Sequence, residues 1–188
     1  AALMLGSFIG FLLGHGADPN IASAYSGRTA LLAAVVWGHV AAVDLLLAHG
    51  ADVSAIDTYN RKSALGYATA NMEPAIVRSL LAAGAPAVFD QMGFSLKGGA
   101  EAREIVQVLV KHGADINRID PWGRTPLMWA SQHAELDTVR LMIELGADVN
   151  RVSEKNMNGV GSKETALSLA RRRKRGDVVA LLQQHGQN

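Results

Sequence analysis

The sequence predicts an all-α solenoid of repeated helix-turn-helix units: a turn, a short helix, a loop, a longer helix and a glycine cap. Three observations predict it. A Gly-Ala pair recurs at Gly16, Gly50, Gly84, Gly113 and Gly146, with a remnant at Gly186, and the spacings are 34, 34, 29, 33 and 40 residues. An apolar run of helical period precedes these glycines, as in Val43, Leu45, Leu46 and Leu47 before Gly50. A turn and a second, shorter helical pattern lie upstream of each run. Self-similarity at a fixed period of this length marks a repeat array rather than a series of unrelated turns.

Each element has a local cause. The longer helix ends at the glycine, because glycine enters the left-handed conformation without steric cost and so caps a helix C-terminus. Val139, Leu141, Met142 and Ile143 run into Gly146, and Val178, Val179, Leu181 and Leu182 run into Gly186. His15, His49, His112 and His185 stand immediately before the glycine, where an imidazole can hydrogen-bond the last carbonyls. One histidine per repeat is too dispersed for a shared metal. Asp18, Asp52, Asp115 and Asp148 recur after Gly-Ala and are expected to bind turn amides, a folding device rather than an acid–base pair.

The shorter helix is clearest in Asp120-Pro121-Trp122-Gly123-Arg124-Thr125-Pro126-Leu127-Met128-Trp129-Ala130. Asp-x-x-Gly makes a tight turn, Thr125 caps the helix, and Pro126 takes the first helical position, where a missing N–H costs nothing. Weaker copies start at Thr29, Ser63 and Thr165. Small residues such as Ala33-Ala34, Ala68 and Ala170 let paired helices approach closely.

Gly-x-Thr-Pro-Leu-x-x-Ala followed by Leu-Leu-x-x-Gly-Ala-Asp resembles the ankyrin repeat, over nearly the whole chain. The resemblance implies an L-shaped stack of antiparallel helix pairs with projecting β-hairpin fingers, and a binding scaffold rather than an enzyme. One domain over 1–188 is expected, with units near 1–23, 24–56, 57–88, 89–119, 120–152 and 153–188. The first unit supplies only an outer helix. The family's His after Thr-Pro-Leu is replaced by Leu32, Gly66, Met128 and Ser168, which removes a hydrogen bond that steadies the loop between repeats. The unit ending at Gly113 is short and lacks Thr-Pro-Leu, so Phe89–Ala100 is expected to be the local weak point, exchanging its amides early. The last unit carries about seven extra residues within Arg151–Lys163, at a finger position.

Composition narrows the function classes. The chain has 188 residues, 49% hydrophobic and 19% charged, with 18 Lys+Arg against 17 Asp+Glu for a net charge of +1. That balance argues against disorder and against a whole-protein attraction for nucleic acid or anionic membrane. With no cysteine, disulfides, thiolate metal sites and cysteine nucleophiles are absent. The apolar opening Ala1–Leu13 breaks well short of the roughly 20 residues a spanning helix requires. It also lacks the basic leader of a signal peptide and an initiating Met, so a partial or processed chain is expected. No nucleophile elbow, zinc-protease motif, phosphate loop or dinucleotide fingerprint is present. No cofactor and no metal are expected.

Two features exceed what folding requires. Aromatic and cationic side chains stand at finger and short-helix positions: Tyr25, Arg28, Trp37, Tyr59, Arg61, Trp122, Arg124 and His133. Trp, Tyr and Arg dominate interface energies. Trp129 and Tyr67 are assigned to the core. The second feature is Arg171-Arg172-Arg173-Lys174-Arg175. It reads as the polar face of a capping repeat or as a contact for an acidic protein, nucleic acid or import receptor, with Arg172 and Arg173 as its binding residues. Met157, in the extended finger, is expected to touch a partner. The expected function is recognition of another protein through finger tips and the concave short-helix face, by a monomer in the cytoplasm. A nuclear location through the basic run, or a periplasmic one after signal removal, is the alternative. Competing readings are a protective partner or inhibitor of one enzyme, bacterial ones included, and a nucleic-acid module built on Arg171–Arg175.

Overall fold

The computed structural model describes residues 2–89, 99–154 and 163–186, with side chains from residue 6 onward. By its contacts the chain forms two compact units, Ala1–Pro86 and Ala87–Asn188.

The first unit contains α1 (Ala2–Gly14), α2 (Ala30–Val36), α3 (Val40–Ala48), β1 (Ile56–Asp57), β2 (Lys62–Ser63), α4 (Ala64–Ala70) and α5 (Pro74–Ala82). The short helices start where their caps are. The Thr29 hydroxyl accepts from the Leu32 N–H at 3.4 Å and Ser63 from the Gly66 N–H at 3.1 Å, each in extended backbone. Short α2 packs against α4 and α3, while α3 packs against α1 and α5, so short helices form one layer and longer helices the other. Between them lie Leu31, Leu32, Val35, Val43, Leu46, Ile76, Val77 and Leu80, all buried. Burying one such side chain is worth about 1.5–3 kcal/mol. Buried Ala34 and Ala68 keep the helix pairs close. The finger is a true hairpin, with Ile56 opposite Ser63 and Asp57 opposite Lys62 in antiparallel register.

The second unit contains α6 (Gly99–Lys111), α7 (Pro126–His133), α8 (Leu136–Glu144), α9 (Ala166–Arg172) and α10 (Gly176–His185). The layering is the same: short α7 packs on α9, and α8 packs on α6 and α10. Thr125 caps α7 through the Met128 N–H at 3.3 Å, with Pro126 at the first position. At α9 the cap is reciprocal. Thr165 accepts from the Ser168 N–H at 3.1 Å while the Ser168 hydroxyl accepts from the Thr165 N–H at 2.9 Å. Three residues that replace the family's histidine therefore have their own employment. Ser168 completes the cap, and Leu32 and Met128 are fully buried.

Five of the six expected glycine caps are left-handed, with φ between 80° and 93° at Gly16, Gly50, Gly84, Gly113 and Gly146. At Gly50 the bond pattern is that of a Schellman cap: Gly50 N–H donates to Leu47 O at 3.1 Å and Ala51 N–H to Leu46 O at 3.0 Å. Gly186 departs from the expectation. Its φ is −94° and its N–H donates to Leu182 O at 2.9 Å, so it extends the helical bonding instead of reversing it. The histidines act as expected, with Nδ1 of His15, His49, His112 and His185 at 2.8, 2.9, 2.8 and 3.0 Å from the carbonyl four residues earlier. A carbonyl only accepts, so each ring carries its proton on Nδ1.

The recurring aspartates also act as expected. Asp18, Asp52, Asp115 and Asp148 accept the N–H two residues on, at 2.8, 2.8, 2.8 and 2.9 Å. The asparagine at that second position does more. Asn20 donates to Gly50 O at 3.1 Å and accepts from Asp52 N–H at 2.7 Å. Asn117 does the same to Gly146 O at 3.0 Å and Asp148 N–H at 2.7 Å. Each amide thus clamps the loop of the next repeat. In the corresponding place between Asp52 and Gly84 the sequence has Ser54, and the residue it would face is Pro86. Serine is too short to span the gap, and proline has no N–H to give.

No described helix is long and apolar enough to cross a membrane. The expected weak point at Phe89–Ala100 falls mostly on residues 90–98, outside the described residues.

Candidate partner-binding surface

The capped starts of the short helices set a common register, and five of the expected binding residues, Arg28, Trp37, Arg124, His133 and Arg173, fall on it. Trp37, Asn71, His133 and Arg173 each stand eight residues after their cap, where Trp37, Asn71 and Arg173 are the C-terminal cap and His133 is the last helical residue. Trp37 is therefore at the end of α2 remote from the finger, and it is 75% exposed. Arg28, Lys62, Arg124 and Glu164 each stand one residue before the cap, facing the finger side.

The finger tips share a second register. Tyr59 and Trp122 lie two residues after Asp57 and Asp120, and their N–H groups donate to those carboxylates at 2.8 and 2.9 Å. Tyr25 stands likewise two residues after Ser23, whose N–H donates to Arg28 O at 2.9 Å. Tyr25, Tyr59 and Trp122 are 92%, 78% and 56% exposed. Neighbouring turns join through the backbone: Thr58 N–H donates to Ser26 O at 3.1 Å, and Glu154 N–H to Gly123 O at 2.9 Å. Arg61 is exposed at the hairpin tip in a left-handed conformation, φ 54°.

Beneath the first of these hairpins is a fully buried carboxylate. Asp57 accepts from the Tyr67 hydroxyl at 2.5 Å, Arg28 Nε at 2.8 Å, Asn60 Nδ2 at 3.1 Å and the Tyr59 and Asn60 N–H groups at 2.8 and 3.0 Å. The Tyr67 hydroxyl, then the Asn60 N–H and the Arg28 guanidinium, hold its carboxyl well below the usual range against the opposing effect of burial. Burial, followed by the bond to Asp57, pushes the Tyr67 hydroxyl up. The bond to Asp57 likewise raises Arg28. Arg28 and Lys62 both lie over the Tyr67 ring, at 5.7 and 5.6 Å from its centre. Arg28 is thus committed to a structural ion pair as well as half-exposed.

The second unit repeats this arrangement with different side chains. Trp129, four residues after its cap as Tyr67 is, donates its indole N–H to Asp120 at 2.6 Å. It is half-buried rather than core. The larger indole packs among neighbouring side chains: Trp122 meets it edge-on at 6.2 Å, His133 stacks on it at 6.3 Å, and the Arg124 guanidinium covers it at 4.9 Å. Arg124 also bonds Glu164 at 3.0 Å, and Glu164 accepts from Arg172 as well.

The basic run is not one uniform patch. Arg171 and Arg172 close α9, Arg173 caps it, Lys174 takes φ 57° in the turn and Arg175 opens α10. Arg175 turns inward to Ala130 O and Ser131 O at 3.3 and 3.4 Å and lies 3.9 Å from Asp177. Arg171, Arg172, Arg173 and Lys174 are exposed. At the extended finger, Val152 pairs with Thr165, and Ser153 N–H donates to Glu164 O at 2.7 Å, which closes the base of the insertion. Met157 lies outside the described residues. Among the described residues, no group of three or more His, Asp or Glu could hold a metal ion.

Sequence reasoning missed Asp57, Asn60, Asp120, Glu164, Asn20 and Asn117 as organisers of these surfaces. A signal was present for two pairs. Asp57 and Asp120 each precede an exposed aromatic by two, and Asn20 and Asn117 each follow a Gly-Ala-Asp by two.

The model for ankyrin repeats, in three copies, matches residues 1–89 and 95–153. The human DNA-binding protein RFXANK is 35% identical over 86 residues, covering 45% of this chain and 30% of that protein. Its mouse counterpart of the same name is 42% identical over 55 residues, covering 29% of this chain and 18% of that one. The chain therefore spans less than a third of the length of these curated relatives. Among solved structures, the human ASB11 ankyrin repeat domain superposes with a TM-score of 0.79 at 27% identity, covering 100% of this chain and 81% of that one.

Proposed function

Since the chain belongs to the ankyrin repeat family, whose domains generally mediate protein–protein interaction, we propose that it binds a partner protein through its finger tips and short-helix faces. The observation that carries this reading is Trp122. It is 56% exposed at a finger tip, yet fixed at its backbone by Asp120 and at its ring by Trp129. A large aromatic side chain ordered in water loses little further freedom on contact, which is what an interface anchor requires. Tyr25 and Tyr59 occupy the same register in the first unit.

This reading assigns no catalysis to the chain. The recurring carboxylates accept turn N–H groups, and the buried one, Asp57, is surrounded by five donor groups.

The test is affinity capture from the source cell with the parent chain, with Trp122→Ala and with Tyr59→Ala. Loss of one specific protein from the Trp122→Ala capture, at unchanged helix content, supports the reading. Identical captures from all three would remove Trp122 and Tyr59 as anchors.

A further inference from the structure

We propose that the short-helix face of the second unit takes an extended acidic segment of a partner protein, with an apolar or aromatic side chain against Trp122 and Trp129 and carboxylates on the neighbouring arginines. This rests on the interaction-module reading above and specifies the chemistry of the partner at one part of it.

The aromatic half of the face is preordered. Asp120 receives the Trp122 N–H at 2.9 Å and the Trp129 indole N–H at 2.6 Å, so one carboxylate positions both rings, and they meet at 85° with centres 6.2 Å apart. With Arg124 and His133 on the Trp129 ring, the surface offered to an incoming ring or branched chain is that of Trp122, 56% exposed and backed by Trp129.

The cationic half carries an excess. Arg124 and Arg172 share the single carboxylate of Glu164, while Arg171, Arg173 and Lys174 are exposed alongside. Asp120 is the other carboxylate here among the described residues, and its oxygens already accept Trp122 N–H, Arg124 N–H and the Trp129 indole. Arg151 and Glu154, at the adjoining finger base, pair with each other at 3.0 Å. Among the described residues these five cations outnumber the two carboxylates, and negative charge from outside complements the excess.

The same geometry favours a peptide over nucleic acid. Arg175 is turned into the carbonyls of α7 and withdrawn from any track of phosphates. Glu164 sits between Arg124 and Arg172, where an evenly charged backbone would meet it. A peptide sets its carboxylates only where cations stand, whereas a phosphate strand carries charge at every step.

The experiment titrates the full chain with a fluorescein-labelled synthetic peptide of glutamates around a central phenylalanine. The same peptide with glutamines and an oligothymidylate serve as competitors. The acidic peptide should bind at least about tenfold tighter than the glutamine peptide and change the tryptophan emission. Trp122→Ala, and Arg172→Gln with Arg173→Gln, should each weaken it by about tenfold or more. Equal binding of both peptides, tighter binding of oligothymidylate, or insensitivity to the arginine changes overturns the proposal. Arg172 also holds Glu164, so if that double variant melts early, Arg173→Glu alone decides. Charge reversal at this exposed cap should cost a similar factor, and unchanged binding refutes the idea. A captured partner that is lost with Trp122→Ala but kept by the arginine variants would sink the acidic chemistry alone. Captures unaffected by any surface change would sink the interaction-module reading with it.

Discussion

Tyr67 donates its hydroxyl to the fully buried Asp57 across 2.5 Å, and this bond ties the finger of one repeat to the short helix that follows it. The second unit builds the same latch from an indole, with Trp129 donating to Asp120 at 2.6 Å. The carboxylate is common to both; the donor is whichever large ring stands four residues after the cap.

The Asp57 latch makes stability depend on pH in a known direction. The carboxyl of Asp57 titrates in the folded chain well below its unfolded value of about 4, so the unfolded chain takes up protons first on acidification. Its contribution is fully present above about pH 5 and is lost as pH falls below about 4 toward the folded value. Tyr67, raised by burial, adds a loss at the other limb, above about pH 10. Asp57→Asn should therefore lower stability at neutral pH and flatten the acid limb in urea unfolding between about pH 2 and 7. An unchanged acid slope would assign the titration to another group.

Gly123 and Gly50 share a left-handed backbone, φ 79° and 80°, but differ in their surroundings. A Cβ on Gly50 meets nothing within 4 Å, whereas one on Gly123 collides with the backbone carbonyl of Glu154. Gly50→Ala should cost only the conformational penalty, about 1–2 kcal/mol. Gly123→Ala should cost about 3 kcal/mol or more, because the Glu154–Gly123 backbone bond must open too. Equal losses in denaturant midpoint would show that the two turns yield alike.

Asn117→Ala strips the loop of the next repeat of two bonds, to Gly146 O and Asp148 N–H. These groups lie near solvent and water replaces part of the loss, so about 1–2 kcal/mol is expected. Amide exchange should accelerate at Asp148 before it does in α7. Full protection of Asp148 in the variant would mean that the loop holds itself.

The period was legible because one string recurs along the whole chain, and the glycine and threonine caps and the turn aspartates because each depends on residues within one turn of chain. Asn20, Asn117, Asp57 and Glu164 were not. Their partners lie about a repeat away or across a finger, and neither composition nor periodicity encodes which side chain meets which. The basic run illustrates the limit. Five adjacent cations read as one patch, but chain geometry turns Arg175 inward, sets Arg172 on Glu164 and leaves Arg173 outward. Trp129 stands at the position the family uses for helix packing, yet it is half-buried, with Trp122 edge-on to its ring and the Arg124 guanidinium over it.

The missing clamp between Ser54 and Pro86 has a consequence for how this chain can change. Ser54→Asn alone supplies an amide whose oxygen finds no N–H at Pro86, and replacing Pro86 alone supplies an N–H that Ser54 cannot reach. Either step by itself gains only part of the bond pair that Asn20 and Asn117 make. The two positions are epistatic: the full clamp arrives only with the second substitution, so the effect of either change depends on the residue at the other.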